Sequence, residues 1–312
     1  MWYLYCMPIY VETRIRGSLE EVWRRTQTPD LHAEWDLRFT SIEYLARPDP
    51  AEPQRFRYAT RLAPGIEIAG WGETAGEQHA DGSRTSALRF GSDDPRSLIR
   101  EGSGYWKYEV QPDGVRFFTG YDYVVRWGAA GRVLDRVVFR PLIGWATAWS
   151  FDRLRLWIER GVEPRRIAAQ AAIHALSAAA IAFVWIWHGL VPKLAGPHPD
   201  ELQLAVEAGL PEPWAVPATQ LAGALELGFG LLFPWVARAR WPWWLTLALM
   251  VAATAGVILH SPHRLGGAFG PITVNLPMAV LAVIGLLARR DLPSAAHCLR
   301  RPPGRDHQEH RT

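Results

Sequence analysis

The side chains able to do acid–base, nucleophilic or redox chemistry are few and scattered along the chain. Cys6 and Cys298 lie at opposite ends of the 312 residues, which is neither a disulfide framework nor a metal-ligand spacing. His32 and His79 are the only histidines before residue 160, and both sit among polar neighbours, where they read as solvated. No Ser-His-Asp or Cys-His arrangement stands out, so no catalytic residue is assigned and no metal or cofactor is expected. The polar residues that do stand out lie in apolar surroundings, where each needs a role or a partner. Gln170, His174, Ser177 and His188 fall on one side of a helix, and Thr219, Gly223, Glu226 and Gly230 make a similar stripe.

The runs that carry those stripes are long. Between Arg166 and Lys193 lie 26 residues without an Asp, Glu, Lys or Arg. A helix needs about 20 apolar residues to cross the hydrocarbon core. Ile167–Leu190, Ala215–Val236, Trp241–His260 and a run inside Leu265–Ala288 all qualify, and Glu226 is the one charge among them. Counted from the basic ends at about 1.5 Å per residue, His174 lies about 10 Å deep and Glu226 about 15 Å, so a bond between them is possible in depth. His188, Lys193, His260, His263 and Asn275 gather at the opposite mouth, where two runs end and a third begins. His260 and His263 read as interfacial side chains reaching water. His188, Lys193 and Glu226 stay open between a headgroup site and a structural role.

The first half has a different texture. Ile9–Ile15 alternates as a strand, Ser18 is placed to cap a helix with Glu20 and Glu21 in its first turn, and Pro29 ends that helix before a second short one. Six alternating runs follow, Thr40–Ala46, Gln54–Leu62, Glu67–Glu77, Ser83–Gly91, Ser103–Gln111 and Val115–Trp127, broken at PDPAEP, APG, ADGS, SDDP and PDG. Arg132–Arg160 returns to helical spacing, with a kink open at Pro141. On the last strand Val115, Phe117, Thr119, Tyr121, Tyr123, Val125 and Trp127 share one face. Such a face either lines a pocket for an apolar ligand or fills a core.

With the element order in place, residues 5–160 resemble the START-like superfamily that includes polyketide cyclases and Bet v 1-type proteins. IYVETRIRGSLEEVWRRTQTPDLHAEWDLRFTSIEYL carries the resemblance most closely. It implies an α+β helix-grip fold, in which a curved sheet wraps a C-terminal helix around an apolar cavity. Trp71, Tyr121 and Tyr123 are the residues expected on its wall. Residues 165–290 resemble the DoxX-like family of small four-helix membrane proteins through WIWHGLVPKL, HPDEL, GLPEPW, LAGALELGFGLL and ITVNLPM. That resemblance implies an all-α four-helix transmembrane bundle, with His174, His188, Lys193, Glu226 and Asn275 as its candidate binding residues. The wider family includes a subunit associated with thiosulfate:quinone oxidation.

The expected organisation is a START-like domain over 1–160, a linker over 161–166, a DoxX-like membrane domain over 167–290 and a disordered tail over 291–312. Arg165, Arg166, Arg238, Arg240, Arg289 and Arg290 fall at one end of the four runs. The positive-inside rule then puts both termini in the cytoplasm of a multi-pass plasma (inner) membrane protein. Trp185, Trp187, Trp214, Trp235, Trp241, Trp243 and Trp244 are placed for interfacial belts. The N-terminal stretch MWYLYCMPIYVETRIRG has neither a positive n-region before a long apolar run nor a small-residue cleavage site, so no signal peptide is expected in it. A net charge of +3 without an aromatic-interleaved basic patch argues against a nucleic-acid partner. The bilayer and a hydrophobic small molecule or lipid are the expected partners, and a partner subunit in the membrane stays open. The expected function is non-catalytic binding of that molecule. The rival is a DoxX-type redox component handling a quinone in the bundle.

Overall fold

The computed structural model describes residues 8–49, 51–266 and 270–303, so the first seven residues, Cys6 among them, and the tail beyond 303 lie outside it. The chain divides into two compact units, one from the described parts of Met1–Ile167 and Pro293–Thr312, the other Ala168–Leu292.

The first unit is a seven-stranded antiparallel sheet in the order β1-β7-β6-β5-β4-β3-β2. The strands are β1 Ile9–Ile15, β2 Ser41–Tyr44, β3 Arg55–Ala63, β4 Ile66–Ala80, β5 Ser83–Gly91, β6 Ile99–Gln111 and β7 Gly114–Val125. Strands β2 to β7 form a meander. Helices α1 (Leu19–Gln27) and α2 (Pro29–Trp35) carry the chain across from β1 to the far edge. Ser18 caps α1 by accepting a bond from the Glu21 amide at 3.2 Å, and Pro29 opens α2, where its missing N–H costs nothing.

A short helix α3 (Gly128–Leu134), a π-helical turn (Asp135–Phe139) and the long helix α4 (Arg140–Arg160) follow the sheet. The irregularity expected at Pro141 falls one turn earlier, where a wider turn takes up the clash between a proline ring and the carbonyl four residues before it. The Phe151 ring of α4 stacks on Phe117 of β7 at 4.4 Å and meets Trp35 of α2 at 6.0 Å. Sheet, helix pair and closing helix therefore share one core, and the helix-grip arrangement expected from the sequence holds.

The tail departs from expectation. Ser294 to Leu299 folds against α4 and β1. Asp152, fully buried on α4, accepts bonds from the Ser294 amide at 2.7 Å, from His297 Nδ1 at 2.8 Å and from Arg155 Nε at 2.7 Å. Leu299 exchanges backbone bonds with Glu12 on the free edge of β1, and the Cys298 thiol donates to the Ala148 carbonyl at 3.3 Å. A buried carboxylate and an open strand edge both need partners, and this short segment supplies them.

The second unit is helical. Helix α5 (Pro164–Gly189) runs on through a π-helical turn to Leu194, and α6 (Pro199–Glu207) is short and amphipathic. Then come α7 (Glu212–Val236), α8 (Trp241–His260) and α9 (Pro271–Leu287). Pro164–Leu194, α7 and α8 are long and apolar enough to cross a membrane, whereas α9 is apolar but has 17 residues. Ala182, Phe233, Trp243 and Ala282, one from each long element, meet in a common buried cluster. The expected tryptophan belt is corrected at two places. Trp185 and Trp243 are buried and donate to Thr246 Oγ1 and the Ala237 carbonyl, because an indole N–H with an internal acceptor packs inward as readily as at an interface.

Candidate functional site

The inner face of the sheet follows from alternation and register. Residues directly opposite in neighbouring strands share a face. One lateral row runs Phe56, Gly72, Phe90, Gly102, Tyr123, and the next includes Leu88, Gly104 and Tyr121. The glycines decide the shape of this face. A Cβ at Gly72 would fall within the Phe56 ring, one at Gly102 would strike Phe90, and one at Gly70 would strike Tyr58. The three rings therefore lie down on backbone instead of standing away from it, which lowers the floor of the concave side. Phe56, Tyr58 and Phe90 are only half-buried, although the matching positions of β7 are covered.

At the covered side, Phe117, Thr119, Tyr121 and Tyr123 are buried as the alternation of β7 predicts. Tyr121 Oη lies 2.8 Å from Thr147 Oγ1 of α4, and Tyr123 Oη donates to Asp135 Oδ1 at 2.6 Å. Both hydroxyls are thus tied to the helical segment that closes the grip. Trp127, expected on the same face, instead leaves it in a left-handed conformation (φ 64°) and is exposed.

Trp71 is corrected. It pairs with Arg57 and Gly91, and its row continues through Glu101 to Val124, which faces outward beside the inward Tyr123. Trp71 therefore lies on the outer face, opposite the two tyrosines. Alternation within one strand cannot say which parity faces the helix. Register across several strands decides it.

The wall contains a polar group that sequence reasoning missed. Arg38 places Nε 2.9 Å from Asp36 Oδ1 and Nη2 2.6 Å from Oδ2, while His32 Nε2 lies 3.0 Å from Oδ2. The Arg38 guanidinium lies 5.7 Å from the centroid of the Tyr121 ring. His32, read as solvated, instead stacks on Trp35 and meets Trp106 and Phe39 edge-on. Burial would raise the Asp36 carboxyl, yet Arg38 and His32 hold it well below the usual carboxylate range. Burial depresses the His32 imidazole, partly offset by Asp36, and pushes the Tyr58 hydroxyl up to about 12. The signal available in the sequence was the Asp-x-Arg spacing just past a helix end, where a turn closed by the Phe39 amide on the Asp36 carbonyl, with the Arg38 amide donating to Asp36 Oδ1, folds the two side chains together. His79, by contrast, is exposed as read.

In the helical unit, Lys193 Nζ lies 2.7 Å from both oxygens of Glu226 and 3.7 Å from Glu201 of α6. Gly189 and Gly223 make this possible. A Cβ at either would strike the other's carbonyl, so α5 and α7 cross with backbones in contact. The conceivable Glu226–His174 bond does not form. His174 is buried with Nδ1 3.1 Å from the Gly285 carbonyl, 15 residues along α5 from Gly189, the level at which Glu226 packs. The two depths were counted from ends that do not coincide, because α7 stops near the level of His174. The proposed mouth also divides. Asn275 Nδ2 donates to Thr254 Oγ1 at 3.1 Å, His263 lies 3.7 Å from Glu207, and His260 is exposed. His188 makes no hydrogen bond among the described residues.

Fold and composition define a membrane protein in which an antiparallel-sheet domain closed by a long helix precedes a helical domain with three membrane-capable helices. The model of the DoxX-like family matches residues 182–283. The chain is 40% identical over 263 residues to the uncharacterized membrane protein YndG of Bacillus subtilis (strain 168), a match covering 82% of this chain and 94% of that protein. It belongs to the same family as YndG. Solved structures similar to the first half include TTHA0849 from Thermus thermophilus, at 19% identity and TM-score 0.35, covering 49% of this chain and 99% of that one. Another is the Zhui aromatase/cyclase from Streptomyces sp. R1128, at 14% identity and TM-score 0.37, covering 50% and 98%.

Proposed function

We propose that the first unit holds a hydrophobic small molecule or lipid between its sheet and α4, as a membrane-attached binding protein. The observation that carries this reading is the aromatic floor of Phe56, Tyr58 and Phe90, laid flat on glycines and left half-exposed on the concave side. A mostly apolar wall with a few convergent polar groups suits such a ligand, and here Arg38 and Tyr121 supply them. Gentle purification followed by mass spectrometry of co-extracted small molecules tests it. A lipid or other apolar molecule is expected with the intact chain and should be lost from Gly72→Val, whose side chain meets the Phe56 ring first and would lift it. An empty wild-type protein that also fails to take up an apolar fluorescent probe would sink the idea. A co-extracted quinone insensitive to Gly72→Val would favour the redox reading of the bundle.

The same reading takes residues 1–160 as the binding domain, 161–166 as linker and 167–290 as a four-span membrane domain. The path of the chain supports it. The chain leaves the first unit after Ile167 and rejoins it at Pro293, so the start of α5 and the end of α9 belong on one side of the bilayer. Three long helices alone would end on the wrong side. Helix α9, about 25 Å long at about 1.5 Å per residue, then makes the fourth crossing with slight local thinning. The arginines at that end support a cytoplasmic first unit and cytoplasmic termini, under the plasma membrane.

A further inference from the structure

The segment from α3 to the first turns of α4 is apolar on both faces. Its inward face packs Phe139 and Ile143 against the core and buries Gly131, Asp135 and Thr147, with Asp135 bonded to Tyr123 and Arg140. Its outward face carries Val133, Leu134, Val137, Val138, Leu142 and Trp145, each between 42 and 68% exposed. A water-facing helix normally carries polar side chains on its outward face. An apolar surface of this kind marks a partner.

Charge says which partner. Between Gly128 and Trp149 the only acidic residue is Asp135, already buried and paired, whereas Arg132 and Arg136 are exposed beside the apolar stripe. The accessible surface is therefore apolar with positive charge alone. That combination fits the boundary of a bilayer containing anionic lipid, with valine and leucine in the acyl region and arginine at the phosphates. Trp145, at the end of the stripe, is the residue type that settles at a headgroup boundary. The chain supplies the opportunity too. Helix α4 ends at Arg160, and the first membrane-capable helix begins at Pro164.

We propose that the outward face of Val133–Trp145 lies in the headgroup region of the bilayer in which the chain is anchored, held by its apolar side chains and by Arg132 and Arg136 on anionic lipid. The face is a second membrane contact, distinct from the spanning helices and independent of whether the concave side of the sheet holds a ligand.

The test uses the full-length protein in nanodiscs of phosphatidylcholine and phosphatidylglycerol, where both leaflets are open to solutes. An environment-sensitive dye is attached at Val137→Cys, Leu142→Cys or, as a control, Asp113→Cys in an exposed hairpin turn, each in a Cys6→Ser background. Lipid-attached nitroxide should quench the dye at 137 and 142, and iodide should not, with the opposite result at 113. Arg132→Glu with Arg136→Glu should at least halve the lipid quenching at 137. Iodide quenching at 137 and 142 would show a face in water, and shielding from both quenchers a face covered by protein, such as a second copy of this chain. Either result overturns the proposal, as does quenching that ignores the charge reversal.

Discussion

Asp36 is the residue on which most of the buried polar chemistry of the first unit converges. Replacing it by alanine would leave the Arg38 guanidinium without its partner, and unfolding measurements are expected to show a loss of about 3–5 kcal/mol. The His32–Asp36 pair also sets a pH dependence. Both folded-state values are depressed, so the unfolded chain binds more protons in the acidic range and stability falls as pH falls. His32 acts first, below its ordinary value of 6.5, and Asp36 only below 3.8. His32→Gln is expected to flatten the decline of the melting temperature between neutrality and pH 5 while leaving the steeper loss below pH 4. In the helical unit, Lys193→Met or Glu226→Gln alone should cost several kcal/mol, and the double replacement by methionines much less, because only the single changes leave a charge unpaired. Tyr121 and Tyr123 were legible from the period of β7. Trp71 was not, since its face is fixed three strands away, and neither was His32, whose polar neighbours in sequence are replaced in space by three aromatic rings.

At the scale of elements, local signals carried most of the fold. The cap at Ser18, the breaks at proline and glycine and the charge-free runs are short-range, and the helices and strands fall close to where those signals put them. The tail was illegible for the opposite reason. Its contacts with Asp152, Ala148 and Glu12 span well over a hundred residues, and its composition alone looks like unstructured chain. The docking predicts a chemical phenotype. Burial pushes the Cys298 thiol up to about 12, so the folded chain should react slowly with thiol reagents at neutral pH. Asp152→Ala removes the acceptor that holds Ser294 and His297. Each 1.4 kcal/mol or so of docking free energy lost is then expected to raise the labelling rate about tenfold, read in a Cys6→Ser background. A rate unchanged from wild type would mean that the segment is held by something other than Asp152.

For the molecule as a whole, the division into a sheet domain and a helical domain was plain from the distribution of charge, and the proposed four-span topology is most open to direct measurement. A membrane-impermeant maleimide applied to intact spheroplasts is expected to label Gly196→Cys, in the loop before α6, and to spare Ala239→Cys, between α7 and α8, until the cells are broken. Labelling of both, or of Ala239→Cys alone, would reverse or break the topology. The returning tail has one further consequence. The first unit is assembled from two stretches of polypeptide with the whole membrane domain between them in sequence, so a protease cut within 161–163 should not set it free. The halves, even synthesised as separate polypeptides, are expected to find each other and purify together, and the strap at Asp152 would then act as a built-in affinity handle.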